Sequence, residues 1–205
     1  KDWFYSRDHW LEFHRRMQIN GALRKGKHYH YEGGIRVPMI VSWPGKVPAD
    51  RIDDTPWYFG DILKTMADIG SAEDLVPTGL DDGLSVLPTL LGSEQDLANR
   101  SMYWEAHKHF GFYQVVIKGY WKLLRWEKRS SRRHPGGDVA PELPPEHYPL
   151  IELYNLKDDP AERFNLADKY PDKVNELKEI ATSSTIPHKR WPLSESARQM
   201  ISNNK

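Results

Sequence analysis

Residues 26–45 limit the folds open to this chain more than any other stretch. They read Gly-Lys-His-Tyr-His-Tyr-Glu-Gly-Gly-Ile-Arg-Val-Pro-Met-Ile-Val-Ser-Trp-Pro-Gly. The Gly33-Gly34 pair permits positive φ and close passage of the backbone past a bound group, and an apolar run over residues 37–43 follows, stopped by Pro44-Gly45. Such a run suits a strand buried on both faces of a sheet. Lys27 is then expected at the lip of that strand, where it can meet an anion.

Around this stretch the pattern alternates between helix and strand signals. Ser6 is a plausible N-cap for a helix over residues 7–20, with Trp10, Phe13 and Met17 on one face and Gly21 at its end. Residues 57–69 place Phe59, Leu63, Met66 and Ala67 at helical intervals before Gly70, which predicts a helix packed on the sheet. A short helical turn is expected from Leu84, limited by Pro88. From Arg100 the chain turns to strands: residues 101–105, then 113–117 and 121–125 hinged at Lys118-Gly119-Tyr120 as an antiparallel hairpin. Residues 127–148 are aperiodic and proline-rich, hence a long loop. Residues 150–156 give a further strand, and residues 171–182 a helix on Val174, Leu177 and Ile180. The fold class is α/β followed by a small α+β part, an antiparallel sheet capped by a terminal helix.

Composition excludes more than it selects. The 29 basic and 29 acidic residues cancel, so no bulk attraction for nucleic acid or a membrane surface exists. With no cysteine there is no disulfide and no thiolate metal site. No apolar run approaches the roughly 20 residues of a membrane span. Eight tryptophans and ten tyrosines fit either an aromatic core or platforms for sugar rings. Lys1 is not an initiator methionine and no signal-like segment follows it, so the numbering is expected to begin inside a longer protein.

Several motifs occur together in a fixed order. Tyr31-Glu32-Gly33-Gly34-Ile35-Arg36-Val37-Pro38 precedes Trp43-Pro44-Gly45, then Asp61-Ile62-Leu63-Lys64-Thr65-Met66-Ala67, Asp81-Asp82-Gly83-Leu84-Ser85 and Leu87-Pro88-Thr89-Leu90-Leu91-Gly92. Leu153-Tyr154-Asn155-Leu156 and Asp159-Pro160-Ala161-Glu162 follow. This series resembles the C-terminal portion of type I, arylsulfatase-like sulfatases. The resemblance implies that residues 1–95 end an alkaline-phosphatase-like catalytic α/β domain and that residues 96–205 form its C-terminal subdomain. It implies sulfate-ester hydrolysis, on a sulfated carbohydrate, in the periplasm or outside the cell. A formylglycine nucleophile and Ca2+ belong to the family too. No Ser-x-Pro-x-Arg or cysteine motif is present here to be modified, and the calcium ligands map to no position, so both are expected on a missing N-terminal half. The chain by itself is expected to be inactive.

Lys27, in its Gly-Lys pair, matches the family's sulfate-contacting lysine, whose charge would absorb negative charge developing on a sulfate oxygen. His28 and His30 are candidates for substrate contact or for packing. His107, in Tyr103-Trp104-Glu105-Ala106-His107, stands where relatives carry a similar run near the pocket mouth, so it either touches substrate or merely ends a strand. Seven Lys and Arg residues lie between positions 118 and 133, Lys118, Lys122, Arg125, Arg129 and Arg132 among them. They read either as a solvated hairpin and loop or as a footing for a polyanionic glycan, with Arg129 and Arg132 as sulfate contacts. Glu32 and Arg36 are expected to pair, Asp53-Asp54 and Asp81-Asp82 to be structural, and Asp159 with Glu162 to form a turn and helix start. Two other functions are compatible with these residues: a phosphoric or phosphonic ester hydrolase on the same scaffold, and a non-catalytic module binding sulfated glycan.

Overall fold

The computed structural model describes residues 20–27, 29–77, 79, 82–97, 99–108, 111–127 and 150–202. The helix expected over residues 7–20 and nearly all of the 127–148 loop lie outside these. The chain divides into two compact units, Lys1–Val37 with Ser101–Lys205, and Pro38–Arg100.

The first unit is built on a four-stranded antiparallel meander: β1 (Ser101–Lys108), β2 (Gly111–Lys118), β3 (Trp121–Trp126) and β4 (Ile151–Asn155), in that spatial order. The expected hairpin is β2–β3. Lys118 pairs with Trp121, leaving the two-residue turn Gly119-Tyr120, and Gly119 takes the positive φ of +57° that the first position of a type II′ turn requires. Alternation along the strands gives the sheet two apolar faces. Ala106, Tyr113, Val115, Leu124, Trp126 and Tyr154 pack with Tyr31 on one. Val116, Leu123 and Leu153 pack on the other against the helix Pro171–Ser184, through Val174, Leu177 and Ala181. Pro171 opens that helix, where its missing N–H costs no intrahelical bond. A further helix, Glu195–Ser202, was not signalled by the sequence; it buries Ala197. Beyond β4, Asn165 covers the free strand edge, accepting from Leu153 N at 3.0 Å and donating to the Ile151 carbonyl at 3.1 Å.

The helices, in chain order, are α1 (Glu32–Ile35), α2 (Gly60–Ile69), α3 (Leu87–Leu90), α4 (Pro171–Ser184) and α5 (Glu195–Ser202). The single turn α1 runs through the glycine pair. Neither glycine there has positive φ; that conformation falls on Lys25 and Gly45 instead. A Cβ on Gly33 would lie 2.4 Å from the Lys25 carbonyl oxygen, and one on Gly34 would lie 2.1 Å from that of Tyr29. The close approach is thus to the chain's own backbone.

The second unit departs from expectation in three ways. Residues 37–43 form no strand: Val37, Met39, Ile40, Val41 and Trp43 are exposed, and a strand requires a neighbouring strand that the described residues do not supply here. Pro88 begins α3 rather than ending a turn. Helix α2 buries its polar side, Asp61 and Thr65, whereas Phe59 just ahead of it is 76% exposed and Met66 54%. The cause is Asp61: its carboxylate accepts from Tyr58 N and Leu84 N, each at 3.0 Å, and is clasped by both Arg100 Nη atoms. Thr65 Oγ1 accepts from Val86 N at 3.0 Å, which draws the same helix face onto the 82–86 loop. No helix among the described residues is long and apolar enough to cross a membrane.

Leu177 is fully buried at the centre of the α4–sheet contact. Leu177→Ala is expected to cost about 2–5 kcal/mol, read as a lowered urea midpoint with an unchanged slope.

Candidate functional site

Residues 24–31 form a short loop that doubles back over α1 and lies on the Tyr113 face of the sheet. Gly33 N donates to the Arg24 carbonyl at 2.9 Å and Tyr29 N to that of Gly26 at 3.1 Å, so the loop is closed on itself. Arg24 staples its start: Nη1 donates to Tyr154 Oη at 2.6 Å, to the Glu162 carbonyl at 3.2 Å and to Glu152 Oε2 at 3.3 Å. The guanidinium also lies 4.0 Å from the centre of the Tyr31 ring. The loop's other end is held by Tyr31, buried with its hydroxyl donating to Glu152 at 2.8 Å, and by His30, whose Nδ1 is 2.6 Å from Tyr113 Oη. Burial, followed by the nearby Tyr29, pushes the Tyr113 phenol up from its ordinary pKa, so it meets His30 as a neutral hydroxyl.

Beneath the loop is a buried ionic knot. Lys122 on β3 is fully enclosed, with Nζ 2.8 Å from Glu32 Oε1 and 2.8 Å from Glu162 Oε1. The first contact is a hydrogen bond; the second is close enough for strong attraction but poorly aimed as one. Glu162 Oε2 accepts from Glu32 N at 2.7 Å, and Arg36 Nε closes the other side of Glu32 at 2.5 Å. Glu32, Glu152 and Glu162 are therefore matched by Arg24, Arg36 and Lys122. Burial pushes the Glu162 carboxyl above its ordinary pKa even against the pull of Lys122, so the pair does not fully offset its desolvation. Glu162 also takes the left-handed φ of +54°, at a cost of roughly 1–2 kcal/mol for a residue with a side chain.

This arrangement sorts the expected residues. Lys27 stands exposed at the tip of the stapled loop. His30 is half-buried and engaged by Tyr113, with its ring edge-on to Tyr113 at 5.3 Å and 6.5 Å from that of Trp104. His28, Arg129 and Arg132 lie outside the described residues. His107 belongs to β1, opposite Phe112. Of the basic run's described members, Lys122 and Arg125 are buried and Lys118 pairs with Glu176 at 3.0 Å. Glu32 and Arg36 pair as expected. Asp53 is held by Thr55, whose side-chain hydroxyl and then its backbone N–H, which donates at 2.8 Å, lower the carboxyl's pKa, with Arg51 adding to the effect. Asp159 does cap a turn, accepting from Arg163 N and Phe164 N, but no helix starts there and Glu162 belongs to the knot. Sequence reasoning missed Lys122, Glu152, Glu162 and Arg24. The available signal was a lysine and a glutamate standing within otherwise apolar strand runs, Trp-Lys-Leu-Leu and Ile-Glu-Leu-Tyr. Among the described residues no three His, Asp or Glu side chains gather as metal ligands.

No protein-family profile matches the chain. It is 30% identical over 166 residues to an N-acetylgalactosamine-6-O-sulfatase of Bacteroides thetaiotaomicron, a match covering 80% of this chain and 30% of that protein. An N-acetylgalactosamine-6-sulfatase of the dog is 30% identical over 161 residues, 72% of this chain and 29% of the relative. A solved structure from work on glycosaminoglycan metabolism by Bacteroides thetaiotaomicron superimposes with a TM-score of 0.60 at 25% identity, covering 83% of this chain and 34% of that one. The chain thus spans about a third of the length of these relatives.

Removing the central cation should leave two buried carboxylates facing each other. Lys122→Met is expected to destabilise the chain by about 3–5 kcal/mol in a urea melt, and adding Glu32→Gln and Glu162→Gln to it should recover most of that loss.

Proposed function

Since this chain belongs with the sulfatases, whose C-terminal region it matches, we propose that it forms the C-terminal part of an enzyme hydrolysing sulfate esters on a carbohydrate. The carbohydrate assignment rests on the relatives named for N-acetylgalactosamine 6-sulfate. One observation in the chain itself carries the reading: Lys27 projects from a loop fastened at both ends, without a partner among the described residues. An ammonium held in that way is organised before substrate arrives, so its attraction for a sulfate oxygen is not spent on ordering the loop.

In this reading Lys27 binds one sulfate oxygen and neutralises charge as the S–O bond breaks. His30, with Nδ1 tied to Tyr113, positions the loop. His28, His107, Arg129 and Arg132 remain candidate contacts to the sugar or its sulfates. The formylglycine nucleophile and Ca2+ are assigned to the N-terminal half of the same protein. That half is also the proposed cover for the exposed apolar side chains Phe59, Ile62, Leu63 and Met66 and for residues 37–43.

Two outcomes test this proposal. With the upstream polypeptide present, the protein should release sulfate from N-acetylgalactosamine 6-sulfate faster than it releases phosphate from the matched phosphate ester. Lys27→Ala should lower kcat by about 10²–10³ with an unchanged melting profile. Turnover by the 205-residue chain alone, or an unaffected Lys27→Ala rate, would overturn it. Separately, the isolated chain should bind a hydrophobic dye strongly, and the upstream segment should suppress that binding; equal dye binding in both forms would count against the cover.

A further inference from the structure

On the α4 face of the sheet, three buried polar atoms lack a hydrogen-bond partner among the described residues: Arg125 Nη1, Gln114 Oε1 and Thr182 Oγ1. They lie together. Gln114 and Arg125 are cross-strand partners in β2 and β3, so their side chains rise side by side from the same face. Gln114 Nε2 donates to the Ala181 carbonyl at 3.0 Å and to Thr185 Oγ1 at 2.7 Å, which sets the last turns of α4 directly over the pair. Lys178 and Thr182 are four residues apart on that helix and share a side of it.

The local charge is one-sided. Arg125 is only 4% exposed, and among the described residues no carboxylate pairs with it or with Lys178. Burial, and then repulsion from Arg125, pull the Lys178 ammonium below its ordinary pKa, which places the two cations within each other's field. Burial likewise lowers Arg125, with Tyr103 acting against it. The acid on this face, Glu105, accepts instead from the Tyr103 hydroxyl at 2.5 Å. Elsewhere in the same unit the chain spends three carboxylates on three cations, so an unmatched buried guanidinium is out of character.

We propose that Arg125, Lys178 and Thr182 form a binding site for a small tetrahedral oxyanion of the sulfate or phosphate type. The guanidinium fork suits two oxygens of such an ion, and the ammonium and the hydroxyl supply donors to the others. Gln114 Oε1 is itself an acceptor without a partner, so it is not one of the contacts to the anion. A bridging water would satisfy Thr182 and Gln114 but would leave both charges unneutralised. The site is on the opposite face of the sheet from Lys122 and the 24–31 loop, and bound anion would fasten α4 to β3.

Thermal unfolding of the chain in rising, low-millimolar sodium sulfate tests the site. An ion that binds only the native state raises the midpoint with the logarithm of its concentration once past the dissociation constant. Wild type should rise by several degrees, whereas Arg125→Gln should show a flat response. Should Arg125→Gln fail to fold, Lys178→Gln, at a half-exposed position, decides the matter: it should fold and need about tenfold more sulfate or worse for the same shift. A wild type insensitive to sulfate, or an equal rise in wild type and the Lys178→Gln variant, would overturn the proposal.

Discussion

The ion pairs of Lys122 with Glu32 and Glu162 bring together three segments that nothing in the local sequence joins. One end of the contact is on β3, another in the glycine turn, and the third just past β4. Each charge is buried, so none of the three segments can take another position without leaving a naked ion in the core. The raised Glu162 pKa and its left-handed backbone both indicate that this arrangement is not the cheapest in energy. What it supplies is uniqueness: apolar packing tolerates shifts of an ångström, whereas this geometry does not.

That uniqueness is handed on to Lys27. The glycine turn is fixed by Glu32, and the 24–31 loop is fixed by the glycine turn, because only hydrogen-sized side chains fit against the Arg24, Lys25, Gly26 and Tyr29 carbonyls. Arg24 then ties the loop's start to Glu152, Tyr154 and the backbone of Glu162 itself. The exposed ammonium at the tip is therefore only a few rigid links from a buried lysine. The anion contact proposed for Lys27 would gain from such support, since motion of the loop would be lost again on binding.

The sequence made some of this legible and hid the rest for identifiable reasons. The β2–β3 hairpin was readable because its signal is local: a glycine at a two-residue turn between β-branched and aromatic runs. Helix α4 was readable because its apolar positions face an apolar sheet. Lys122 and Arg125 looked like members of a solvated basic run. In β3, however, Trp-Lys-Leu-Leu-Arg-Trp is covered on both faces, so alternation no longer reports exposure. Their partners cannot be inferred from spacing, with Glu32 lying 90 positions from Lys122. Residues 37–43 were misread in the opposite sense: hydrophobicity marks where a strand would be welcome, but pairing needs a second strand.

The second unit makes the same point with inverted polarity. Its interior is organised by Asp61, Arg100 and Thr65, while Phe59, Ile62, Leu63 and Met66 point outward. Water gives no return for exposing that many apolar side chains on one helix, at roughly 25 cal/mol per Å² forgone. A buried Asp–Arg clasp, in turn, is a costly way to close a small free-standing core. Both features become economical if α2 is an internal layer. Its polar side then fixes the 82–86 loop, and its apolar side is kept for a surface outside the described residues. The helical period in residues 57–69 was thus correct about an apolar face, and what it could not specify was which body of the fold that face meets.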